Sequence, residues 1–288
     1  MCRVVDLRQA VLAKNDASAL ELREHLAARG TAEVNLLSSP GSGKTALLEL
    51  LLARAVAAGT SVAAVTADLA TENDAQRLAR AGAPVKQVLT DGLCHLEAGM
   101  LRGHLDGWLP KGTRVLFVEN VGNLVCPASY DIGETLRIVL GSVTEGEDKP
   151  LKYPTAFGLA HLVVITKTDI AAAVEFDGEA FHRNVQQVNP GVPVLETSAR
   201  TGAGVDELLA FILGCADGIP VHQPVLAHQH ERYLHHRHEH EGDDSADSAD
   251  GSDSHGDHSD HDGRHHHDGG PDGPAHPATA VRGAAQAP

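Results

Sequence analysis

The segment Ser38–Thr45 has the sequence SSPGSGKT, and its residue types are those of a site that binds a phosphate chain. Small residues let backbone N–H groups approach phosphate oxygens, and a Lys-Thr pair can reach the β- and γ-phosphates and a Mg²⁺ ion. Ser38 stands where the pattern G-x-x-x-x-G-K-[ST] begins with glycine. The alternative is a polar turn with a chance Lys-Thr pair, but an apolar run precedes the segment and a helical pattern follows it. We therefore predict a P-loop whose nucleotide-binding residues are Gly41, Ser42, Gly43, Lys44 and Thr45, with Lys44 also acting in catalysis.

A second polar motif, TKTD at Thr166–Asp169, follows the apolar run HLVVI and resembles the guanine-recognition motif N-K-x-D of GTPases. A carboxylate at its last position can accept both N–H groups of the guanine edge, whereas adenine offers no matching pair of donors. Thr166 replaces the asparagine of that motif, and the downstream pair Ser198-Ala199 resembles the S-A motif that supports the base. The alternative is a polar turn in which Thr168 or Asp169 caps a helix. With the P-loop upstream, the pattern predicts binding of GTP and GDP through Lys167, Asp169, Ser198 and Ala199.

Two carboxylates follow predicted strands, Asp68 after SVAAVTA and Glu119 after RVLFV. The carboxyl ends of parallel strands line the ligand crevice of a sheet, so both side chains should point toward the phosphates. We predict that both bind Mg²⁺ together with Thr45, and that either one orients the water that attacks the γ-phosphate. For Asp68, the alternative is a cap of the following helix. For Glu119, a charge directly after four apolar residues favours the catalytic interpretation.

Cys94, His95 and Cys126 are candidate ligands for a transition metal. Two thiolates and an imidazole are ligands that Zn²⁺ and Ni²⁺ both accept. The spacing is not that of a zinc finger, and three ligands leave one position open or let a partner chain complete the shell, which favours metal transfer over a permanent structural site. The alternative is two buried free cysteines and a hydrogen-bonded histidine, and spacing alone favours it. We assign no site to Cys2 or Cys215.

The C-terminal segment from His222 onward has a different composition from the rest of the chain. It holds 14 of the 19 histidines, and its 13 acidic and 4 basic residues account for −9 of the net charge of −16. Few apolar residues remain to offset the entropy of ordering, so we predict a disordered tail. Imidazoles and carboxylates at this density bind borderline divalent metals, and protonation of the histidines near pH 6 should release them. The alternative is a solubilising acidic tail.

Periodic apolar patterns predict the elements that must position these residues. We predict helices over 6–29, 45–58, 71–81, 93–105, 176–188 and 205–213, and strands over 34–37, 61–67, 85–89, 114–118, 137–143, 161–166 and 192–196. The helix over 93–105 would present Cys94 and His95 at its start. Apolar strands that alternate with helices predict an α/β fold, with a mostly parallel sheet covered by helices on both faces as in P-loop NTPases.

The composition also limits the classes of protein to which the chain can belong. We predict an N-terminal helical segment over 1–30, a GTPase domain with the metal site over 31–218 and the tail over 219–288. The acidic balance disfavours a nucleic-acid partner, and no apolar run approaches the roughly 20 residues that span a bilayer. The N-terminus has no signal-peptide core, and four cysteines are too few for a disulfide scaffold. We therefore expect a cytoplasmic protein.

Several of these segments occur together in an order that is specific to one family. They are Val11–Asn15 (VLAKN), Ser38–Thr45, Cys94–Leu96, Glu119–Cys126 (ENVGNLVC) followed by Pro127, and Ser142–Pro154 (SVTEGEDKPLKYP). Over roughly residues 4–215 the chain resembles the hydrogenase nickel-incorporation GTPases of the HypB family. Some members of that family begin with a C-x-x-C-G-C nickel motif, of which only Cys2 remains here. Others carry a histidine-rich stretch near the N-terminus, whereas the stretch in this chain is C-terminal.

The resemblance implies a SIMIBI-class GTPase that dimerises with nucleotide and delivers Ni²⁺ during maturation of [NiFe]-hydrogenase. The implied partners are a HypA-type nickel accessory protein and the precursor of the hydrogenase large subunit. The metal site of the family maps onto Cys94, His95 and Cys126, where it implies Ni²⁺ or Zn²⁺. The dimer contact of the family lies just after the guanine motif, which points to Ile170 and Val174.

Three other functions remain as alternatives. A urease accessory GTPase also carries nickel, but its Cys-Pro-His motif is not matched by Cys126-Pro127-Ala128. A nickel or zinc storage protein with a vestigial GTPase domain is disfavoured by the retained Lys44 and Asp169. A kinase is disfavoured because no lid for an acceptor substrate is evident.

Overall fold

Short runs of aliphatic residues form a sheet of seven parallel strands in the part of the chain that the structure describes. This computed structural model describes residues 3–68, 73–90, 92–224 and 226–227, without the side chains of residues 3–9, Asp68 and Asn73. The strand order is β3-β2-β4-β1-β5-β6-β7. The strands are β1 (Ala32–Ser38), β2 (Val62–Asp68), β3 (Val85–Leu89), β4 (Val115–Glu119), β5 (Leu136–Ser142), β6 (Leu162–Thr166) and β7 (Val194–Glu196).

Helices cover both faces of this sheet. They are α1 (Arg3–Ala28), α2 (Lys44–Ala57), α3 (Asn73–Ala79), α4 (Ala98–Leu105), α5 (Lys149–Lys152), α6 (Pro154–Gly158), α7 (Gly178–Val188) and α8 (Val205–Ala216). The predicted α/β architecture of a P-loop NTPase is confirmed. None of the helices in the described residues combines the length and the apolarity that crossing a membrane requires.

The core is divided between the two faces of the sheet. On one face, Val34 and Leu36 of β1 pack with the buried leucines of α2 and α8. On the other face, Leu22 and Leu26 of α1 pack with α4 and the neighbouring strands, and Phe157 and Phe181 join α6 to α7. Burying each such leucine or phenylalanine contributes about 1.5–3 kcal/mol, so α1 is a structural part of the sheet's second face.

The start of α4 differs from the sequence prediction, and the difference concerns the metal site. The predicted helix over 93–105 begins only at Ala98, because Glu97 is extended with φ −103° and ψ 149°. Cys94 and His95 therefore lie in the loop before the helix, and the prediction that the helix presents them at its start was wrong. Leu96 is buried in that loop, and anchoring this side chain in the core competes with continuing the helical spiral.

Other predicted elements agree with the structure to within a few residues, and α7 shows why their ends are hard to predict. The predicted helix over 176–188 begins at Gly178, because Asp177 accepts a hydrogen bond from the N–H of Ala180 at 2.9 Å and caps the helix. The predictions for residues 228–288, and for Cys2, lie outside the described residues. Before that point the chain packs back onto the domain, with His222 Nε2 2.8 Å from Asn189 Oδ1.

Candidate functional site

The phosphate loop connects the end of β1 to the start of α2. Gly41 and Gly43 have φ angles of +73° and +94°, a left-handed conformation that residues with a Cβ rarely adopt. The loop can therefore turn tightly, and α2 begins at Lys44 directly after Gly43. The first N–H groups of a helix have no acceptor within it, so the start of α2 presents donors and a positive dipole end to an anion.

Ser38, the departure from the P-loop pattern, is buried at the end of β1 and faces the loop lysine. Its Oγ accepts a hydrogen bond from Nζ of Lys44 at 3.0 Å and another from the hydroxyl of Ser42. Lys44 is 8% exposed, so its ammonium group is held against the loop and does not extend into solvent. A glycine at position 38 could not make these contacts, which gives the serine a structural role in the loop.

Thr45 and Glu119 meet at the edge of the sheet where a magnesium ion is expected. The hydroxyl of Thr45 donates to Oε1 of Glu119 at 2.6 Å, and Glu119 is 4% exposed as the last residue of β4. Two adjacent hard oxygen ligands suit Mg²⁺. Asp68 ends β2, but its side chain lies outside the described residues, so its predicted roles remain predictions. Gly122 packs closely against the phosphate loop, since a Cβ at this position would lie 3.3 Å from Cα of Pro40.

Two adjoining clefts extend from the phosphate loop. The first, of about 300 Å³, lies over the loop toward Glu119 and Gly122 and is also lined by Thr66, Asp74, Arg77 and Asn120. The second, of about 250 Å³, lies between the loop and the TKTD motif. Ser42, Gly43 and Ala46 line both clefts. A single elongated ligand with an anionic end and a planar end therefore matches their arrangement.

The TKTD motif is bound to the phosphate loop by two direct hydrogen bonds. The hydroxyl of Thr166 donates to the carbonyl of Ser42 at 2.6 Å, and Nζ of Lys167 donates to the carbonyl of Gly41 at 2.7 Å. Lys167 has a φ of +61°, a left-handed conformation that is unusual for a residue with a side chain. Thr166 thus connects the base motif to the loop although it is not the asparagine of the usual pattern.

The carboxylate of Asp169 is held in the second cleft by the segment after β7. Ser198 Oγ donates to Asp169 Oδ1 at 2.6 Å, and Arg200 Nη1 lies 3.8 Å from Asp169 Oδ2. Ala199 lines the same cleft beside Thr197. A fixed carboxylate at the wall of an apolar cleft is an acceptor for a pair of N–H donors on a flat ring.

Lys149 is a site residue to which the sequence analysis assigned no role. It is 6% exposed, its Nζ donates to Oγ of Ser39 in the phosphate loop at 2.5 Å, and it also pairs with Glu145. Glu145 in turn accepts the N–H of Ser142 at 2.8 Å. The segment SVTEGEDKP thus supports the phosphate loop from the side of β5. The many charged residues of this segment were the sequence signal that could have indicated a role. Only the fold shows that the segment reaches the phosphate loop.

Cys94 and Cys126 come together from two separate loops. Cys94 lies before α4, and Cys126 lies directly before the 3-10 turn Pro127–Ser129. A hydrogen bond with the Cys126 thiol, and then burial, raise the pKa of Cys94. A neighbouring thiol disfavours ionisation, whereas a bound divalent cation would favour two thiolates at the same place. Both cysteines are free and partly exposed.

His95 lies beside this thiol pair but makes other contacts. Its Nδ1 is 3.8 Å from Sγ of Cys94, its ring stacks on Tyr130 with centroids 3.9 Å apart, and its Nε2 is 3.5 Å from Oε1 of Glu97. Within the residues that the structure describes, no three His, Cys, Asp or Glu side chains converge into a group that could hold a metal ion. The structure brings the two thiols together, and the predicted metal site of Cys94, His95 and Cys126 remains a prediction.

Comparison with known proteins supplies a family for this arrangement. Residues 33–196 match the family model described as "CobW/HypB/UreG, nucleotide-binding domain". The chain is 41% identical over 210 residues to the hydrogenase maturation factor HypB of Rhizobium leguminosarum bv. viciae, covering 73% of this chain and 70% of that protein. It is 39% identical over 214 residues to the hydrogenase/urease maturation factor HypB of Helicobacter pylori (strain ATCC 700392 / 26695), covering 73% of this chain and 87% of that protein.

A solved structure shares both the fold and the sequence. It is the crystal structure of HypB from Helicobacter pylori in complex with nickel, with a TM-score of 0.67 and 38% identity. The match covers 71% of this chain and 96% of the solved chain.

Proposed function

This chain belongs to the HypB family of hydrogenase maturation factors, and on that premise we propose that it hydrolyses GTP and delivers nickel during maturation of [NiFe]-hydrogenase. Nickel is the cargo of the proposed reaction, and GTP is its substrate. The proposal combines the nucleotide clefts with the thiol pair in one mechanism.

The arrangement of the two adjoining clefts carries the proposal for guanine nucleotide. The carboxylate of Asp169, held by Ser198, is an acceptor for the two N–H groups of guanine, which adenine lacks. The hydrogen bond from Thr166 to Ser42 holds the base motif against the phosphate loop. The phosphates would then lie over the start of α2, with Lys44 on the β- and γ-phosphates.

The residues at the phosphate end support hydrolysis of the γ-phosphate. Thr45 and Glu119 would hold Mg²⁺, with Asp68 as the third predicted ligand, and when bound this ion neutralises charge on the β- and γ-phosphates. Lys44 would stabilise the negative charge that develops on the phosphate oxygens. Glu119, or Asp68, would accept a hydrogen bond from the attacking water and orient it in line with the bond that breaks.

The short segment 119–126 supports coupling between hydrolysis and metal release. It begins at the carboxylate that contacts Thr45, passes the contact of Gly122 with Pro40, and ends at Cys126. A change in the phosphates at one end therefore has a direct covalent route to one of the two thiols. Nucleotide and metal should then alter each other's affinity by the same factor.

The proposed partners follow from the family. A HypA-type nickel accessory protein would exchange metal with the chain, and the precursor of the hydrogenase large subunit would receive it. A nucleotide-dependent homodimer, with Cys94, His95 and Cys126 contributed by each protomer, would bring two thiol sites under one nucleotide switch. The tail, which supplies most of the histidines, would gather nickel.

The test is a calorimetric titration of Ni²⁺ into residues 1–227, with GDP and with a non-hydrolysable GTP analogue. We end the shortened chain at residue 227 because His222 contacts Asn189, and a Cβ on Gly158 would lie 2.5 Å from Leu226. We expect one strong site that is lost in Cys94→Ala and Cys126→Ala and that differs at least fivefold in affinity between the two nucleotides. Cys215→Ala is the matched control for loss of a thiol.

Nickel binding that is absent from the shortened chain, or that ignores nucleotide, would contradict the delivery mechanism and favour metal storage by the tail. A second candidate function is nickel supply to a urease, because one relative is named a hydrogenase/urease maturation factor. Activation of purified apo-hydrogenase precursor against apo-urease by the nickel-loaded protein and GTP distinguishes these two acceptors.

A further inference from the structure

One buried side chain of α1 contacts both loops that carry the thiol pair. Asn15 is 5% exposed. Its Oδ1 accepts a hydrogen bond from the N–H of Ala98 at 3.0 Å, and its Nδ2 donates to the carbonyl of Asp131 at 2.7 Å. Ala98 is the first residue of α4, shortly after Cys94, and Asp131 follows Cys126 in the second loop.

Two other contacts also hold the Cys94 loop in place. The buried Leu96 anchors it in the core, and the ring of His95 stacks on Tyr130. The position of Ala98 therefore decides where the preceding loop enters α4. Because Asn15 satisfies the N–H at that point, its amide determines how the Cys94 loop is seated on α1.

The Cys126 loop is held from two directions. Arg137 donates to the carbonyls of Ala128 and Tyr130 at 3.0 Å each, from the sheet below. Nη2 of Arg23, on α1, donates to both carboxylate oxygens of Asp131, at 2.8 and 2.7 Å. These arginines contact only the second loop, whereas Asn15 is hydrogen-bonded to the second loop and to the residue that follows the first.

We infer that Asn15 is a positioning residue that sets the separation of Cys94 and Cys126 and so the metal affinity of the thiol pair. The inference about geometry stands on the contacts above, and only its link to nickel rests on the proposed function. An amide suits this role because one oxygen and one N–H group serve two different backbone partners at once.

The first test measures the thiol pair without any metal. The full-length protein is equilibrated with oxidised and reduced glutathione, and the peptide that links Cys94 to Cys126 is quantified by mass spectrometry after alkylation. The two thiols give two electrons and two protons to one glutathione disulfide, which yields two glutathione thiols. The equilibrium constant reports the effective concentration of one thiol at the other.

We expect this effective concentration to fall roughly tenfold in Asn15→Ala, which loses both hydrogen bonds. Asn15→Asp is nearly isosteric and can still accept from the Ala98 N–H, but an ionised carboxylate cannot donate to the Asp131 carbonyl. We expect it to fall as well, because the hydrogen bond to the Cys126 loop is lost. The control is Ser18→Ala, which removes an exposed hydrogen bond to Lys14 on the same helix.

The second test follows metal binding in the same proteins through the thiolate-to-nickel charge-transfer absorption. Histidine and carboxylate ligands of the tail do not contribute to that band, so the full-length chain can be used. We expect a similar tenfold loss of affinity in both Asn15 variants and none in Ser18→Ala. GTP affinity should stay within about twofold in all three, which shows that they are folded.

Three outcomes overturn the inference. They are an unchanged thiol equilibrium in Asn15→Ala, a wild-type equilibrium in Asn15→Asp, and a loss of thiol coupling that appears equally in Ser18→Ala. Failure of the proposed function looks different, because wild-type protein would then show no thiolate band with nickel while the Asn15 variants still lowered the thiol equilibrium. If Asn15→Ala does not fold, the comparison of Asn15→Asp with wild type decides.

Discussion

Asp169 and Thr166 have separate tasks in the proposed recognition of GTP. Asp169 presents its carboxylate to the base cleft with support from Ser198, whereas the hydroxyl of Thr166 donates to the carbonyl of Ser42 in the phosphate loop. Substitution of the first should therefore change which base is bound, and substitution of the second should weaken the binding of any base.

We expect Asp169→Asn to weaken GTP binding at least roughly 100-fold and to strengthen binding of xanthosine triphosphate. The amide keeps one acceptor for the ring N–H and gains a donor for the oxygen that xanthine has in place of the guanine amino group. Fluorescence titrations with labelled, non-hydrolysable analogues of GTP and xanthosine triphosphate measure both affinities. Thr166→Val is the matched control, and we expect roughly tenfold weaker binding of both nucleotides with an unchanged ratio. A changed ratio in Thr166→Val would contradict this division of tasks.

His161 makes the stability of the protein sensitive to mild acid. Burial, followed by the charge of Arg137 and the nearby His222, lowers the pKa of His161 to about 4, while Asp131 opposes the shift. Its Nδ1 accepts the N–H of Arg137 at 2.8 Å, which also requires the neutral ring. Between pH 6.5 and 4 the unfolded chain holds a proton at this position that the folded protein does not, so stability falls as the pH falls.

We expect His161→Asn, which keeps an acceptor but cannot titrate, to lose less stability than wild type when the pH is lowered from 7.5 to 5. The difference in the free energy of unfolding should be roughly 2 kcal/mol, measured by urea denaturation of the metal-free protein. His182→Asn replaces a histidine on α7 and is the control. Parallel pH profiles for wild type and His161→Asn would exclude His161 as the cause.

At the scale of elements, α1 determines the geometry on the second face of the sheet. It supplies Leu22 and Leu26 to the core and the amide of Asn15 to both thiol loops. The loop before β5 passes α1 so closely that a Cβ on Gly133 would lie 3.0 Å from the carbonyl of Ala19. This close approach needs a glycine in addition to the positive φ of +92°.

We expect Gly133→Ala to destabilise the fold by about 2–4 kcal/mol, because strain from the positive φ adds to the clash with α1. Gly112→Ala is the matched control, since Gly112 has a φ of +78° but nothing within 4 Å of an added Cβ. It should cost only about 1 kcal/mol. Thermal and urea unfolding of both variants give the comparison, and equal losses would show that α1 does not pack tightly at this point.

At the scale of the whole molecule, the proposed switch would act in a homodimer. Val174 is 42% exposed just beyond the base motif, and Ile170 lines the base cleft itself. An apolar contact at this place would sense whether the cleft is occupied.

We expect Val174→Asp to abolish dimerisation in the presence of a GTP analogue, because a charge would be buried at the contact, and to leave the nucleotide affinity of the monomer unchanged. Size-exclusion chromatography with light scattering measures the mass. Leu20→Asp, at a position of α1 that is 53% exposed, is the control and should still dimerise. If Val174→Asp still dimerises, the dimer contact does not include Val174.

The sequence by itself determined the features that depend on neighbouring residues. SSPGSGKT, TKTD and the alternation of apolar strands with helices are local patterns, so the P-loop, the base motif and the parallel sheet could be predicted from them. Tertiary structure decided what depends on residues far apart in the chain. It sets the bond of Thr45 to Glu119, the support of the phosphate loop by Lys149, the meeting of Cys94 with Cys126, and the start of α4 at Ala98. Local patterns cannot report these contacts, because each one arises only when packing of apolar side chains brings distant segments to the same edge of the sheet.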